Sequence, residues 1–374
     1  MRSKAFFING GAGRVICSIP AFEKYAETHD DFIIVCEGGT DFFKGHPVLH
    51  NKVYDNWHKG LFEEHLIHRD LISPEPYRNW HYYNQKCSLS QAFDIIINDL
   101  EEPRELSGPT IHLNKMEAIN GFNIVDEVRQ GSGKEKILVV QPFGRSVEQI
   151  GKDFIADASS RSFSTANIVE IINELKKDYG IIIMSEIHFP LEENEDNSKY
   201  KVARPQISDM RIWAGVINAA DHFLGCDSMG QHIAKAFDKT ATVVTGSTYP
   251  INISYPNCKK FDIIDVGEGR RVYDPIRICM DDVRNRYNDQ AMELDNQQIK
   301  SIIDSVRKRM GKSVVHVNSN KDQTNNIQPI SPVLPSGSNK PMIKKPTKGF
   351  IDEIKNASQQ NADPHVKDIL KNLK

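Results

Sequence analysis

The sequence predicts an α/β protein of two lobes, each a parallel sheet covered by helices. Short apolar runs of strand length alternate with helical patterns over most of the 374 residues. A polar, glycine-bearing stretch at 129–134 separates two such series and is a plausible linker. At about 150 residues per domain, the length accommodates two domains. We therefore expect lobes at 1–130 and 135–310, followed by a tail at 311–374.

The first lobe begins with a strand at 4–8, a helix at 15–25 and a second strand at 31–36. The run Phe-Asp-Ile-Ile-Ile at 93–97 predicts a further strand of the same sheet. Residues 57–91 are rich in aromatic residues and histidines and have little periodicity. We interpret them as loops and short helices on a functional face.

The second lobe repeats the alternation with more regular spacing. Apolar runs bounded by turn residues predict strands, and apolar residues three and four apart predict helices. The predicted strands are 136–140, 180–184, 222–225, 241–245 and 261–266, and the predicted helices are 165–177, 209–220 and 228–237.

Composition excludes several classes of protein. The 47 basic and 50 acidic side chains give a formal charge of 47 − 50 = −3, without the strong basicity of a dedicated nucleic-acid binder. A hydrophobic fraction of 39% suffices for two cores and excludes global disorder. The six cysteines are scattered without metal-site spacing, so we expect free thiols and a reducing, cytoplasmic location. The apolar stretch at 5–8 is too short for a signal peptide, and no run approaches a membrane span.

The tail differs in composition from the lobes. Between residues 311 and 349 there are five prolines, six lysines and one acidic residue, which predicts a solvated linker. Two short amphipathic helices are predicted beyond it, with Asp363 as the N-cap of the second and Pro364 at its first position. The tail is either a tethered docking element or a mobile extension.

The first motif with chemical meaning is the glycine-rich turn at 9–14, between the first strand and helix. Gly11 and Gly13 allow close backbone approach of a ligand, and the helix that follows attracts an anion. The turn lacks the third glycine of a dinucleotide fingerprint and the lysine of a phosphate-binding loop. Arg14 opposes the helix dipole there, which favours an anionic partner. The alternative is a purely structural turn.

The second motif lies at 219–237, where a buried strand leads into a helix. Asp227 and Ser228 stand at the helix start, and His232 follows Ser228 by one helical turn. We expect the three to converge beyond the carboxyl end of a parallel strand, where ligands usually bind. The alternative is that Asp227 or Ser228 is an N-cap and that His232 is a structural helix residue.

Five segments occur in order over residues 4–255. They are the glycine turn and its helix at 9–22, the strand at 31–37, Gln-Pro-Phe-Gly-Arg-Ser at 141–146, Asp-Ser-Met-Gly-Gln-His-Ile-Ala at 227–234, and Val-Val-Thr-Gly-Ser-Thr-Tyr-Pro at 243–250. This order resembles glycosyltransferase family 9, the ADP-heptose:lipopolysaccharide heptosyltransferases and their relatives. The resemblance implies two Rossmann-like lobes facing a central cleft (the glycosyltransferase B fold), a nucleotide-sugar donor on the second lobe, an acceptor on the first, and inverting transfer without a metal. The chain contains no Asp-x-Asp pair, in agreement with that expectation.

The resemblance also implies roles for individual residues. Asp227, Ser228, Met229 and His232 fall on the family's donor diphosphate and sugar segment. Arg161 falls on a basic residue that meets donor phosphate. Glu186 lies near the acid that binds the nucleoside. No separate cofactor is expected, because the nucleotide sugar is itself the substrate.

The first-lobe turn departs from the family pattern. The family carries a catalytic aspartate where this sequence has Arg14, and arginine stays protonated at any working pH. Inverting transfer needs a group that takes the acceptor proton. We expect Glu37 or Asp41 to be that base, with His46 and His58 as further options, and Arg14 to bind a phosphate of donor or acceptor.

The leading hypothesis is a glycosyltransferase that moves a sugar from a nucleotide-diphosphate donor to an acceptor hydroxyl. The acceptor is a glycan, a lipid-linked molecule or another hydroxyl compound. Modified DNA is a minority option, because the overall charge disfavours a polyanion. Two alternatives remain open: a non-catalytic nucleotide-sugar-binding protein, and a nucleotide-sugar epimerase of the same architecture.

Overall fold

A computed structural model of the chain describes residues 2–145, 147–150, 154–157, 159–191, 202–271 and 291–311. Both predicted series of strands fall within one compact unit, Met1–Asn318. The second unit, Ser319–Lys374, contains both predicted tail helices and lies outside the described residues.

The first lobe contains a four-stranded parallel sheet. Its strands are β1 (Lys4–Ile8), β2 (Phe32–Cys36), β3 (Val53–Asp55) and β4 (Asp70–Ile72), in the order β3-β2-β1-β4. Ile8 pairs with Cys36, and Cys36 pairs with Asp55. Because all four strands are parallel, the turns that follow them leave from the same edge of the sheet.

Helices and several short segments complete this lobe. Helix α1 (Ala12–Ala26) confirms the predicted helix. Residues 57–91 contain short helices, including α2 (Trp80–Tyr83), as predicted, together with β4, which was not predicted. The strand predicted at 93–97 is wrong: these residues form α3 (Leu89–Ile97). Ser88 and Gln91 form a capping box that starts the helix, and a short apolar run fits a buried helix as well as a strand.

The second lobe contains a six-stranded sheet in the order β12-β11-β10-β5-β8-β9, parallel at every pairing. All five strands predicted for this lobe are present with ends shifted by one residue at most. A separate hairpin (β6, β7) and the short β9 were not predicted. The strands are β5 (Ile137–Gln141), β6 (Val147–Ile150), β7 (Phe154–Asp157), β8 (Gly180–Ile183), β9 (Val202–Ala203), β10 (His222–Cys226), β11 (Ala241–Thr245) and β12 (Phe261–Asp265).

Helices cover the second sheet on both faces. The three predicted helices are present as α5, α6 and α7, and α4, α8 and α9 were not predicted. They are α4 (Lys115–Ser132), α5 (Thr165–Leu175), α6 (Met210–Ala219), α7 (Met229–Ala236), α8 (Pro250–Ile253) and α9 (Asn296–Met310). Among the described residues, no helix combines the length and apolar character that a bilayer span requires.

The stretch predicted as a linker at 129–134 belongs largely to a helix. Residues 129–132 form the end of α4, and Gly133 caps it in the left-handed conformation. The helix crosses α6 at Gly121 and Gly215, where a Cβ on Gly121 would lie 2.2 Å from the Gly215 carbonyl carbon. Residues 129–134 were predicted as a linker because they are polar. Helix α4 is polar because it buries only a narrow stripe that includes Gly121, Val125 and Val128.

Candidate functional site

The two glycine-flanked helix starts singled out in the sequence meet in the structure. A Cβ on Gly13, in the first turn of α1, would lie 3.3 Å from His232 Cδ2 and 3.9 Å from Met229 Cα in α7. Neither N-cap, Gly11 or Ser228, makes a side-chain capping bond, and neither first turn contains an acidic residue. The positive ends of both helix dipoles therefore lie beside each other. The two turns are in contact at Gly13, and we call the surface around this contact the cleft.

Arg145 adds a charge to the cleft. This exposed side chain follows β5, and its Nη1 lies 3.2 Å from the position that a Cβ on Gly11 would occupy. Among the described residues, no carboxylate lies within ion-pair distance of it. A guanidinium beside a helix N-terminus is stabilised by a bound anion. Arg145 was not predicted as a site residue, although it lies in the segment at 141–146.

Asp227 and Arg161 form a pair within the second lobe. Asp227 is buried after β10, and its Oδ2 lies 3.5 Å from Arg161 Nη1 and accepts a 3.1 Å hydrogen bond from Thr248 Oγ1. Its Oδ1 accepts a 2.7 Å bond from Gln231 Nε2. Burial acts to lower the pKa of Arg161, but the charges of Asp227 and Asp157 outweigh it and hold that pKa above its usual value. Arg161 is thus a permanent cation in contact with Asp227.

The loop that carries Arg161 is folded around Asp157. The Asp157 carboxylate accepts hydrogen bonds from the backbone N–H groups of Ser159 and Ser162, both at 2.8 Å, and from their hydroxyls. Burial acts to raise the pKa of Asp157, but these bonds outweigh it and the pKa lies below its usual value. Ser159 Oγ in turn accepts a 3.0 Å bond from Arg161 Nε, which fixes the direction of the guanidinium.

Ser228 and Met229 lie where the sequence placed them, at the start of α7. Ser228 Oγ accepts a 3.1 Å hydrogen bond from Gln141 Nε2, and Gln141 Oε1 accepts a 2.9 Å bond from the Gly230 N–H. Met229 is half-buried against the core. The amide of Gln141 therefore holds the α7 start against the end of β5.

His232 is enclosed by the protein's own side chains. It is 4% exposed, its Nδ1 shares a 2.8 Å hydrogen bond with the Tyr255 hydroxyl, and Cys17 Sγ of α1 lies 3.4 Å from the same nitrogen. Burial lowers the pKa of His232 to about 4, so the imidazole is neutral at physiological pH. Asp227, Ser228 and His232 make no hydrogen bond to one another, and each has other partners.

Arg14 is also turned into the protein, although the sequence suggested a phosphate ligand. Its guanidinium carbon lies 5.0 Å from the ring centre of Tyr77 and 5.6 Å from that of Phe93. Its Nη2 donates a 3.3 Å bond to the Pro74 carbonyl and lies 3.7 Å from Glu75 Oε2. The anionic partner predicted for this helix-start arginine is therefore a carboxylate of the same chain.

The predicted carboxylates lie at the strand ends but differ in their contacts. Glu37 is exposed after β2, and its Oε2 accepts a 2.7 Å hydrogen bond from the Gly10 N–H. Asp41 is exposed and forms an ion pair with Lys44. Glu186 is exposed in the bend after β8, at the carboxyl edge of the second sheet. Glu37 is thus the one of the three in direct contact with the glycine turn.

The two predicted histidines have different surroundings. His46 is buried, with Nε2 3.0 Å from Glu23 Oε1 and Nδ1 accepting two backbone N–H groups, so it is committed to internal bonds. His58 is exposed and lies beside the rings of Tyr54 and His65. Within the described ranges, no three metal-ligating side chains lie close enough together to hold an ion.

Solved structures share this architecture. A glycosyl transferase family 9 structure from Veillonella parvula superposes with a TM-score of 0.51 at 10% identity, covering 82% of this chain and 97% of that one. An ADP-heptose lipopolysaccharide heptosyltransferase II from E. coli gives 0.49 at 9% identity, over 81% and 99%. An E. coli heptosyltransferase with ADP gives 0.40 at 12% identity, over 70% and 92%. The first confirms the predicted two-lobed glycosyltransferase fold. No protein-family model matches the chain, and no curated protein matches its sequence.

Proposed function

We propose that this protein transfers a sugar from a nucleotide-diphosphate donor to an acceptor hydroxyl. One observation carries the proposal: two helix N-termini whose N-cap residues make no side-chain capping bond meet beside Arg145, a guanidinium with no carboxylate partner among the described residues. A diphosphate has the charge and the acceptor oxygens that such a site binds. The shared fold is consistent with this chemistry, although fold alone does not determine function.

The reaction places negative charge where these groups lie. As the bond from the anomeric carbon to the diphosphate breaks, its electron pair stays on the diphosphate oxygen. Arg145 and the N–H groups at the starts of α1 and α7 would stabilise that charge. We propose that these groups neutralise the leaving group without a metal, that transfer inverts the anomeric carbon, and that Asp227, Ser228 and Met229 hold the donor.

The sugar and the setting are further parts of the proposal. A heptose, hexose or pentose donor is favoured by the resemblance in the segments around Asp227, with Glu186 at the strand end where a nucleoside would lie. The acceptor would bind the first lobe. Cys17, Cys36, Cys87, Cys226 and Cys258 are free thiols, which fits a reducing compartment such as the cytoplasm.

A thermal-shift screen against ADP-, GDP-, UDP- and CMP-sugars tests the proposal, because a ligand of the folded state raises the melting temperature. We expect one nucleoside diphosphate sugar to stabilise the protein. Arg145→Gln should weaken its binding about 10- to 100-fold through the loss of a charge-assisted hydrogen bond. The control Arg2→Gln removes an arginine that is 78% exposed at the opposite edge of the first sheet.

Turnover separates the enzyme from a binding protein. We expect release of nucleoside diphosphate when the stabilising donor is incubated with water or with a panel of free saccharides. Stabilisation without release would indicate a non-catalytic binder. Failure of every nucleotide sugar to stabilise the wild-type protein would contradict the proposal altogether.

A further inference from the structure

Three polar side chains meet beside the glycine turn. Asn9 Nδ2 donates a 2.8 Å hydrogen bond to Glu75 Oε1, and Arg14 Nη2 lies 3.7 Å from Glu75 Oε2. The Glu75 side chain is 31% exposed, whereas Arg14 is 7% exposed. The carboxylate is therefore held at one oxygen, flanked by a cation at the other, and still accessible to a small molecule.

Two buried polar atoms in the flanking residues lack partners. Asn9 Oδ1 and Arg14 Nε make no hydrogen bond with any residue that the structure describes. A buried donor or acceptor without a partner is costly, so such atoms often mark a site that a ligand completes. Here an acceptor and a donor without partners stand on the two residues that flank the same carboxylate. A hydroxyl group, which both donates and accepts, has the matching chemistry.

Glu75 lies on the edge of the first lobe that carries the cleft. β1 and β4 are adjacent and parallel, so Asn9, directly after β1, and Glu75, three residues after β4, leave from the same edge. The ring centre of Tyr77, two residues further, lies 5.0 Å from the Arg14 guanidinium carbon. Beyond it, the carbonyls of Tyr82 and Cys87 accept hydrogen bonds from Asn252 Nδ2, so the chain that follows Glu75 contacts the second lobe.

The other two carboxylates considered at this edge are more open to solvent. Glu37 is exposed and accepts the Gly10 N–H, and Asp41 is exposed and paired with Lys44. Glu75 is partly buried, and its two partners, Asn9 and Arg14, each carry a buried polar atom without a partner among the described residues.

We propose that Glu75 is the general base that activates the acceptor, an inference that rests on the proposed function. The acceptor hydroxyl gives its proton to the Glu75 carboxylate, and the oxygen electron pair forms the bond to the anomeric carbon. The bond from that carbon to the diphosphate oxygen breaks, and its electron pair leaves with the diphosphate. Asn9 and Arg14 are positioning residues that orient the carboxylate.

The test compares glutamate variants of the full chain, with the donor identified by the thermal-shift screen. A general base contributes about 10²- to 10⁴-fold, so Glu75→Gln should lower nucleoside diphosphate release by that factor while donor binding is unchanged. Glu75→Asp should retain part of the rate, and formate should partly restore Glu75→Ala. Glu27→Gln is the matched control, because Glu27 is also paired with a cation, Lys24, at 2.8 Å.

Each outcome decides between distinct explanations. A Glu75→Gln protein that binds donor and releases diphosphate at the wild-type rate would overturn the role of Glu75 and leave the proposed function standing. The same holds if Glu37→Gln loses turnover while Glu75→Gln keeps it, or if formate restores nothing. Absence of turnover in the wild-type protein would overturn both proposals together. The melting temperature of every variant identifies any loss of turnover that is caused by misfolding. If Glu75→Gln misfolds, the rate of Glu75→Asp tests the role of Glu75 in its place.

Discussion

Acidification should destabilise this protein through two buried histidines before its carboxylates protonate. His222 and His232 are enclosed, and burial lowers their pKa values to about 3 and about 4. In the unfolded chain both have the ordinary value of about 6.5. The folded protein therefore binds fewer protons than the unfolded chain below pH 6.5. Their contribution to stability is complete above that pH and is lost progressively as the pH falls toward the folded pKa values.

The size of the loss follows from these values. Between pH 7.5 and pH 5, proton binding to an unfolded histidine of pKa 6.5 stabilises the unfolded chain by about 2 kcal/mol, whereas the folded ring binds almost none. The two rings together should lower the free energy of unfolding by about 4 kcal/mol. That is a large fraction of the 5–15 kcal/mol typical of a folded protein.

Urea unfolding at a series of pH values measures this loss. In His232→Gln, the difference in unfolding free energy between pH 7.5 and pH 5 should shrink by about 2 kcal/mol, whatever the variant's absolute stability. His50→Gln is the control, because it makes the same substitution at an exposed histidine.

Proton NMR of the imidazole provides the refuting result. If the His232 ring titrates near pH 6.5 in the folded protein, it is open to solvent, and the enclosure by Cys17 and Tyr255 is wrong. Such a ring could contact a donor directly, as the sequence suggested. If His232→Gln shows the same pH dependence as the wild type, the linkage argument fails as well.

Two further predictions concern packing and charge. Gly121→Ala should destabilise the fold by about 1–3 kcal/mol or more, because its Cβ would overlap the Gly215 backbone. Gly38→Ala is the control, because Gly38 has open space around it, and it should change the urea midpoint little. Equal effects of the two substitutions would contradict the tight crossing of α4 and α6. Arg161→Met should destabilise the protein by about 3 kcal/mol, because it leaves the buried Asp227 carboxylate without its cation. Adding Asp227→Asn should recover part of that loss in free energy of unfolding. If urea unfolding shows that the losses of the two substitutions simply add, the pairing is excluded.

The strands were predictable because their signal is local. Runs such as Ile137–Gln141 and Ala241–Thr245 are buried throughout, so they are mostly apolar and bounded by turn residues. Residues 93–97 are also mostly apolar but form a helix. The signal that distinguishes the helix is the capping box of Ser88 and Gln91, which begins five residues before Phe93. An argument from the periodicity of the apolar run alone does not include these residues.

The site was predictable only as far as its residues are close in sequence. The turns that carry Gly13 and Asp227 were identified from the strand–turn–helix pattern. The partners of the charged residues were not, since Glu75 is 61 positions from Arg14 and Tyr255 is 23 from His232. The sequence signal for Arg145 is Gly11, because a side chain at position 11 would crowd the Arg145 guanidinium. A glycine indicates that something approaches, without identifying the group.

The selectivity of the cleft follows from which charges the chain neutralises itself. Arg14 is offset by Glu75, and Arg161 by Asp227, so these cations add little net potential to the cleft. At the helix starts, Glu37 accepts the Gly10 N–H beside α1, and Gln141 accepts the Gly230 N–H of α7. Arg145 has no carboxylate within ion-pair distance in the described part of the chain, so it is the cation that an incoming anion meets uncompensated. The proposed diphosphate site is therefore compatible with a net charge of −3, because it depends on local charge.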